Sequence, residues 1–177
     1  MEAQSYQQNR SSESIGGPVP APLRGLVVGA VLSIVLLIGL PVKMIIDRDG
    51  TLATILVDQP GLDEQAQGIA FVAVILYTAV LHVIDVVLLV WFTIKVWRGR
   101  GWARIALTIY LVAASILGLI SAGKGIEYLL VVITANLIHM IMLALLWLSP
   151  SVRAFFAAHR AAARSRRPAG APVAGQG

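Results

Sequence analysis

Thr78, His82 and Asp85 are spaced by four and three residues, which sets three side chains on one face of an α-helix. Asn136 and His139, three apart, share a face in the same way. An imidazole beside a carboxylate can exchange a proton near neutral pH, because burial raises the acid and a nearby imidazolium lowers it. Two imidazoles on facing helices can instead hold a b-type haem iron from its two sides. The plainest option is structural: hydrogen bonds that join helices. Such bonds average only ~0.6 kcal/mol in membranes, so they explain tolerance of these residues better than their presence.

The elements that position these residues follow from composition. The 177 residues are 58% hydrophobic and 13% charged, and mean hydropathy is +0.81, which places the chain in the membrane class. There is no cysteine, so disulfides, thiolate metal sites and cysteine nucleophiles are excluded. The net charge of +5 comes from bases beside apolar runs, which points to anionic lipid and away from nucleic acid.

Four apolar runs, at about 25–46, 69–95, 102–122 and 128–148, are long enough to cross a hydrocarbon core of roughly 30 Å. The expected fold is therefore an all-α, four-transmembrane-helix bundle. Residues 1–24 and 168–177 read as disordered tails, being polar and rich in Gly, Ser, Pro or Ala. The first run lacks a compact basic n-region and is longer than a signal-peptide core, so it is expected to be a retained span. Gly25, Gly29 and Ser33 form a small-residue stripe on the first helix, and Ala114, Gly118 and Ala122 one on the third; the two stripes could pack together.

The interval 47–68 carries five acids and one base and is expected to be a solvated outer loop. Its apolar piece 52–57 is too short to span and could be a strand, an interfacial segment or a cap over the bundle. The run DRDG at 47–50 opens like a calcium loop, but the later ligands and the closing glutamate are missing. With the N-terminus inside, eleven of the fourteen bases fall on the inner side and Lys43, Arg48 and Lys124 on the outer. The positive-inside rule then puts both termini in the cytoplasm of a plasma-membrane protein. Trp91, Trp97, Trp102 and Trp147 all fall at the inner interface, as an aromatic belt does.

After the fourth run, Ser149 is placed to cap a further helix with Pro150 at its first position. Residues 149–167 read as a short amphipathic basic helix on the membrane surface. Phe155 and Phe156 would point to acyl chains, while Arg153, Arg160, Arg164, Arg166 and Arg167 meet headgroups. His159 carries no evident role in that segment.

The run RGRGWAR at 98–104 and the run LWLSPSVRAFF at 146–156 resemble those of small four-helix integral membrane proteins of actinobacteria, a group with no assigned activity. The resemblance covers about residues 23–156. It implies architecture and a high-GC bacterial plasma membrane, and carries over no catalytic residue.

In the derived topology His82 lies thirteen residues beyond Ile69 and His139 eleven beyond Tyr128. Their depths match, and a cluster of Thr78, His82, Asp85, Asn136 and His139 is expected in the bundle interior. A central Asp costs about 2.5 to 3.5 kcal/mol on insertion, so Asp85 should face the bundle or a wet cavity. No nucleophile with an arranged base, no phosphate loop and no third zinc ligand can be read from the sequence. The expectation is a non-enzymatic accessory or interaction protein with lipid, protein or self partners and no cofactor. The alternatives are a proton-coupled transporter or channel component using Asp85, His82 and His139, and a haem b protein. Small multidrug carriers also have four helices, but place their acid in the first.

Overall fold

A computed structural model of the chain describes residues 19–122 and 126–165. Of the tails expected at 1–24 and 168–177, residues 1–18 and 168–177 lie outside the described residues, as do Arg10, Lys124, Arg166 and Arg167, while residues 21–24 are helical. Six helices follow in order: α1 (Ala21–Ile46), α2 (Arg48–Asp58), α3 (Glu64–Trp97), α4 (Gly101–Ala122), α5 (Ile126–Trp147) and α6 (Pro150–Ser165). Among the described residues there is no strand. α1, α3, α4 and α5 are each long and apolar enough to cross a membrane.

Two spans begin earlier than hydropathy places them. α1 starts at Ala21 and not at Gly25, because Leu23 and Leu26, both 1% exposed, anchor its first turns in the core. α3 starts at Glu64 and not at Ile69. The Asp63 carboxylate accepts from the Ala66 N–H at 2.8 Å, and Gln67 reaches back to the Leu62 carbonyl at 2.9 Å. These contacts satisfy donors and acceptors that a helix start otherwise leaves open. At 34 residues, α3 is about 51 Å long at 1.5 Å per residue, more than a bilayer core needs.

The segment 52–57 is part of a helix. Asp47 ends α1 by donating its N–H to the Lys43 carbonyl and caps α2 by accepting from the Gly50 N–H at 3.2 Å. A Cβ at Gly50 would come within 2.7 Å of that carboxylate, so a larger residue there would have to turn the Asp47 side chain aside. Thr51, 5% exposed, donates its hydroxyl toward the carbonyls of Met44 (3.1 Å) and Asp47 (2.9 Å), stitching the corner between the two helices. α2 then folds against α1 and α3.

The four spans form a ring in which α1 packs on α3 and α5, and α4 packs on α3 and α5. α1 and α4 therefore sit across one diagonal, and α3 and α5 across the other. This corrects the expected pairing of small-residue stripes. Gly25 meets Leu145, and Gly29 meets Met142 and Ile138, all on α5; Gly118 of α4 also faces α5, at Val132. Small residues on both sides let α5 approach two neighbours closely.

The core is concentrated at one end. Leu23, Leu26, Leu89, Val96, Ala103, Leu107, Met142, Leu146, Val152 and Phe156 are buried together where α1 and α4 begin and α3 and α5 end. The four Trp residues and most described bases share this basic end. Toward the acidic end, among the described residues, full burial is confined to Met44 and Thr51 at the α1–α2 corner.

α6 departs from its expected place. Val152 and Phe156 (1% exposed) belong to the bundle core, and Phe155 packs against it. The turn at Ser149, whose carbonyl accepts from the Arg153 N–H and whose hydroxyl approaches the Val152 N–H at 3.5 Å, sends α6 back toward α1 and α5. His159 is likewise half-buried: its ring lies 4.2 Å from that of Phe155 and covers Gly99, which has φ 71°. Glycine is required there both by that backbone conformation and by the approach of the ring.

Candidate functional site

Asp85 lies on α3, twelve residues before its end at Trp97, or about 18 Å along the axis. It is half-buried and faces α4. The Tyr110 hydroxyl donates to the Asp85 main-chain carbonyl at 3.2 Å. His82 lies one turn earlier on the same face of the helix. The His82 Nδ1 sits 2.8 Å from the Thr78 carbonyl. A carbonyl only accepts, so Nδ1 carries the hydrogen and Nε2 is left as the basic nitrogen. Thr78 thus contributes its main chain to the group.

The other half of the expected cluster has hydrogen-bond partners of its own. His139, 8% exposed, has its Nδ1 3.1 Å from the Ser115 hydroxyl of α4. Asn136 donates its amide to the Val132 carbonyl of its own helix at 2.9 Å. Tyr110 and Ser115 are five residues apart, roughly 140° around α4. α4 therefore presents Tyr110 to α3 and Ser115 to α5, and stands between the two histidines. Thr78, His82 and Asp85 form one group with Tyr110; His139 forms another with Ser115; Asn136 joins neither through its amide bond.

Tyr110 had no place in the sequence reading, and Ser115 entered it only among serines for which the sequence arranges no base. The one available signal is that Tyr110 sits in mid-span, away from the interface where membrane Tyr residues concentrate. Phe92 connects it to the aromatic group at the basic end: its ring centroid is 6.1 Å from Tyr110 and 6.4 Å from Trp102, and Trp91 lies 5.4 Å from Trp102.

A second constellation occupies the basic end. The Arg104 guanidinium lies 3.8 Å over the Trp147 ring and 5.6 Å from that of Phe156. Trp147 is held at its edge, where its indole N–H donates to the Thr108 hydroxyl at 2.8 Å, and Thr108 donates onward to the Arg104 carbonyl at 2.9 Å. Arg153, Arg160 and Arg164 are exposed on α6.

These features define a multi-span, all-helical membrane protein. Among the described residues no three His, Cys, Asp or Glu side chains are grouped to hold a metal ion. The chain matches no protein-family model, no curated protein and no solved structure.

Proposed function

We propose that this protein is a non-enzymatic accessory or interaction protein of a plasma membrane, of the small four-helix kind found in actinobacteria, with both termini cytoplasmic. One observation supports the reading above others. The polar groups within the spans bond mostly to carbonyls of their own helices: His82 to Thr78, Thr108 to Arg104, Ser121 to Leu117, Thr134 to Leu130 and Asn136 to Val132. Groups committed in this way are satisfied within their own helices and are not held out toward a substrate. The apolar outer face of α3, with Val72, Leu76 and Tyr77 each more than 60% exposed, is open to lipid, to a partner helix or to a second copy. Arg153, Arg160, Arg164, Arg166 and Arg167 supply charge for anionic inner-leaflet lipids.

The absence of cysteine allows a clean test of orientation. Single Ala53→Cys on α2 and Ala161→Cys on α6, both exposed positions, are treated in intact cells with a membrane-impermeant maleimide. Labelling of the first and protection of the second supports cytoplasmic termini; the reverse pattern overturns it. Partners are then sought by crosslinking and copurification in mild detergent, where recovery of the protein alone as a monomer would argue against an interaction role.

A second reading is favoured by the Asp85, His82 and Tyr110 group: a proton-coupled carrier or channel component in which Asp85 titrates. Asp85→Asn should then abolish proton flux in reconstituted vesicles while the protein still folds. Wild-type vesicles without proton flux would remove this reading.

A further inference from the structure

Arg104 occupies the first turn of α4, where no acidic residue is present to meet the helix N-terminus. Its guanidinium is held against the Trp147 and Phe156 rings, and its Nε is buried with no hydrogen-bond partner. A buried guanidinium N–H without an acceptor is an uncompensated donor, and native structures rarely retain one unless something completes it.

Phe156 also fixes the surroundings. Arg153 precedes it by three residues and Arg160 follows by four, so both lie on the same face of α6 as the ring beneath Arg104. The charges of Arg153 and Arg160 both reach Arg104. Three cations thus gather at one place, and among the described residues no carboxylate pairs with any of them; the ion pair that is present, Lys43 with Asp47, lies at the other end of the bundle. Like charges at such a site are unfavourable unless an anion occupies it. The amino ends of α4 and α6 lie at the same end of the bundle and add to the preference for an anion.

The chemistry of the donors selects the anion. Guanidinium groups bind phosphate through paired N–H donors, and the aromatic faces beside Arg104 keep its fork in a fixed plane. The group sits where two apolar spans end, at the level of headgroups, with the Trp147 and Trp102 rings half exposed nearby to meet glycerol and upper acyl carbons. We propose that Arg104, Arg153 and Arg160 form a discrete binding site for the phosphate of one anionic phospholipid, wedged between α4 and α6. The site rests on the reading that the basic end lies at a membrane surface. It differs from the diffuse attraction of the C-terminal bases in having a stoichiometry and a centre, Arg104, within the bundle.

The test is native mass spectrometry of the full chain in mild detergent, titrated with phosphatidylglycerol, with phosphatidylcholine, and with inorganic phosphate. One phosphatidylglycerol should be retained per chain, with at least tenfold preference over phosphatidylcholine. Arg104→Gln should weaken it at least tenfold, whereas Arg24→Gln, which removes an equal charge from the same end, should change it less than twofold. Because Arg104 contributes to packing, the double variant of exposed residues Arg153→Gln with Arg160→Gln provides an independent arm, and it should also lose the lipid. Equal losses in the Arg24 and Arg104 variants would overturn the proposal in favour of diffuse electrostatics. Full displacement by millimolar inorganic phosphate would overturn it in favour of a free-anion site. Carbonate extraction of cell membranes tests embedding separately, so failure of the lipid site and failure of the membrane reading give different results.

Discussion

Replacing Phe156 with Ala separates the two places its helix could occupy. If α6 lay on a bilayer with both phenylalanines in acyl chains, Phe155→Ala and Phe156→Ala would have similar effects. In the structure they are unequal: Phe156 is 1% exposed in the core, whereas Phe155 is partly buried at its margin. Truncating a fully buried Phe costs about 3 to 5 kcal/mol, which lowers the ratio of docked to undocked α6 by about 100-fold to several thousand-fold. Val152 is the other fully buried anchor of this helix, so the loss falls mostly on its docking. Limited trypsin digestion in mild detergent reads the change directly, because Arg153 is protected only while α6 is docked and helical. Cleavage after Arg153, followed by mass spectrometry, should accelerate strongly for Phe156→Ala and only a few-fold for Phe155→Ala. Equal rates for the two variants, or a wild-type rate already as fast as Phe156→Ala, would refute the docked arrangement.

Other perturbations address the remaining contacts. Gly29→Ala sets a Cβ 2.6 Å from Met142 Cγ, an overpacking expected to cost about 1 to 3 kcal/mol; the thermal midpoint in detergent should fall, and adding Met142→Ala should recover part of the loss, whereas additive losses would show that the two sites do not meet. Tyr110→Phe removes the hydroxyl that reaches Asp85, and an SDS unfolding titration should show a loss of about 0.6 kcal/mol, near the average for such bonds in membranes; a loss several times larger would mean that Asp85 depends on Tyr110 for more than one interhelical bond. Gly99→Ala forces an L-residue into left-handed backbone, costing roughly 1 to 2 kcal/mol, and displaces the His159 ring, so trypsin should cut more readily at Arg98 and Arg100.

The four spans were legible because apolar length is a property of each segment alone. The starts of α1 and α3 were not, because Leu23 is separated from the main apolar run by Arg24, and α3 opens on polar residues organised by the Asp63 cap. α2 stayed open among three alternatives, since the features that make it a helix, the Asp47 cap and the Thr51 stitch, involve contacts with α1. The candidate site divides along the same line. Thr78, His82 and Asp85 share a face because helical periodicity fixes spacing within a segment. Matched depth did not reveal that His82 bonds its own Thr78 carbonyl and His139 the Ser115 hydroxyl, because depth says nothing of the order of helices around the ring. The small-residue stripes pointed to contact between the first and third spans, yet Gly25 and Gly29 receive α5. α4 consequently became the partner of both histidine-bearing spans.

The uneven distribution of the core gives the bundle the mechanics of a pair of tongs. Leu89, Leu107, Met142 and Phe156 form a rivet at one end, while among the described residues beyond it full burial recurs at the α1–α2 corner. Elements with few buried contacts open at lower free energy than those with many, so a spreading of the acidic-end arms about the basic-end joint is the motion that this distribution of the core favours. Asp85 and Tyr110 lie just beyond that joint, and their hydrogen bond is the first polar latch that such spreading would strain.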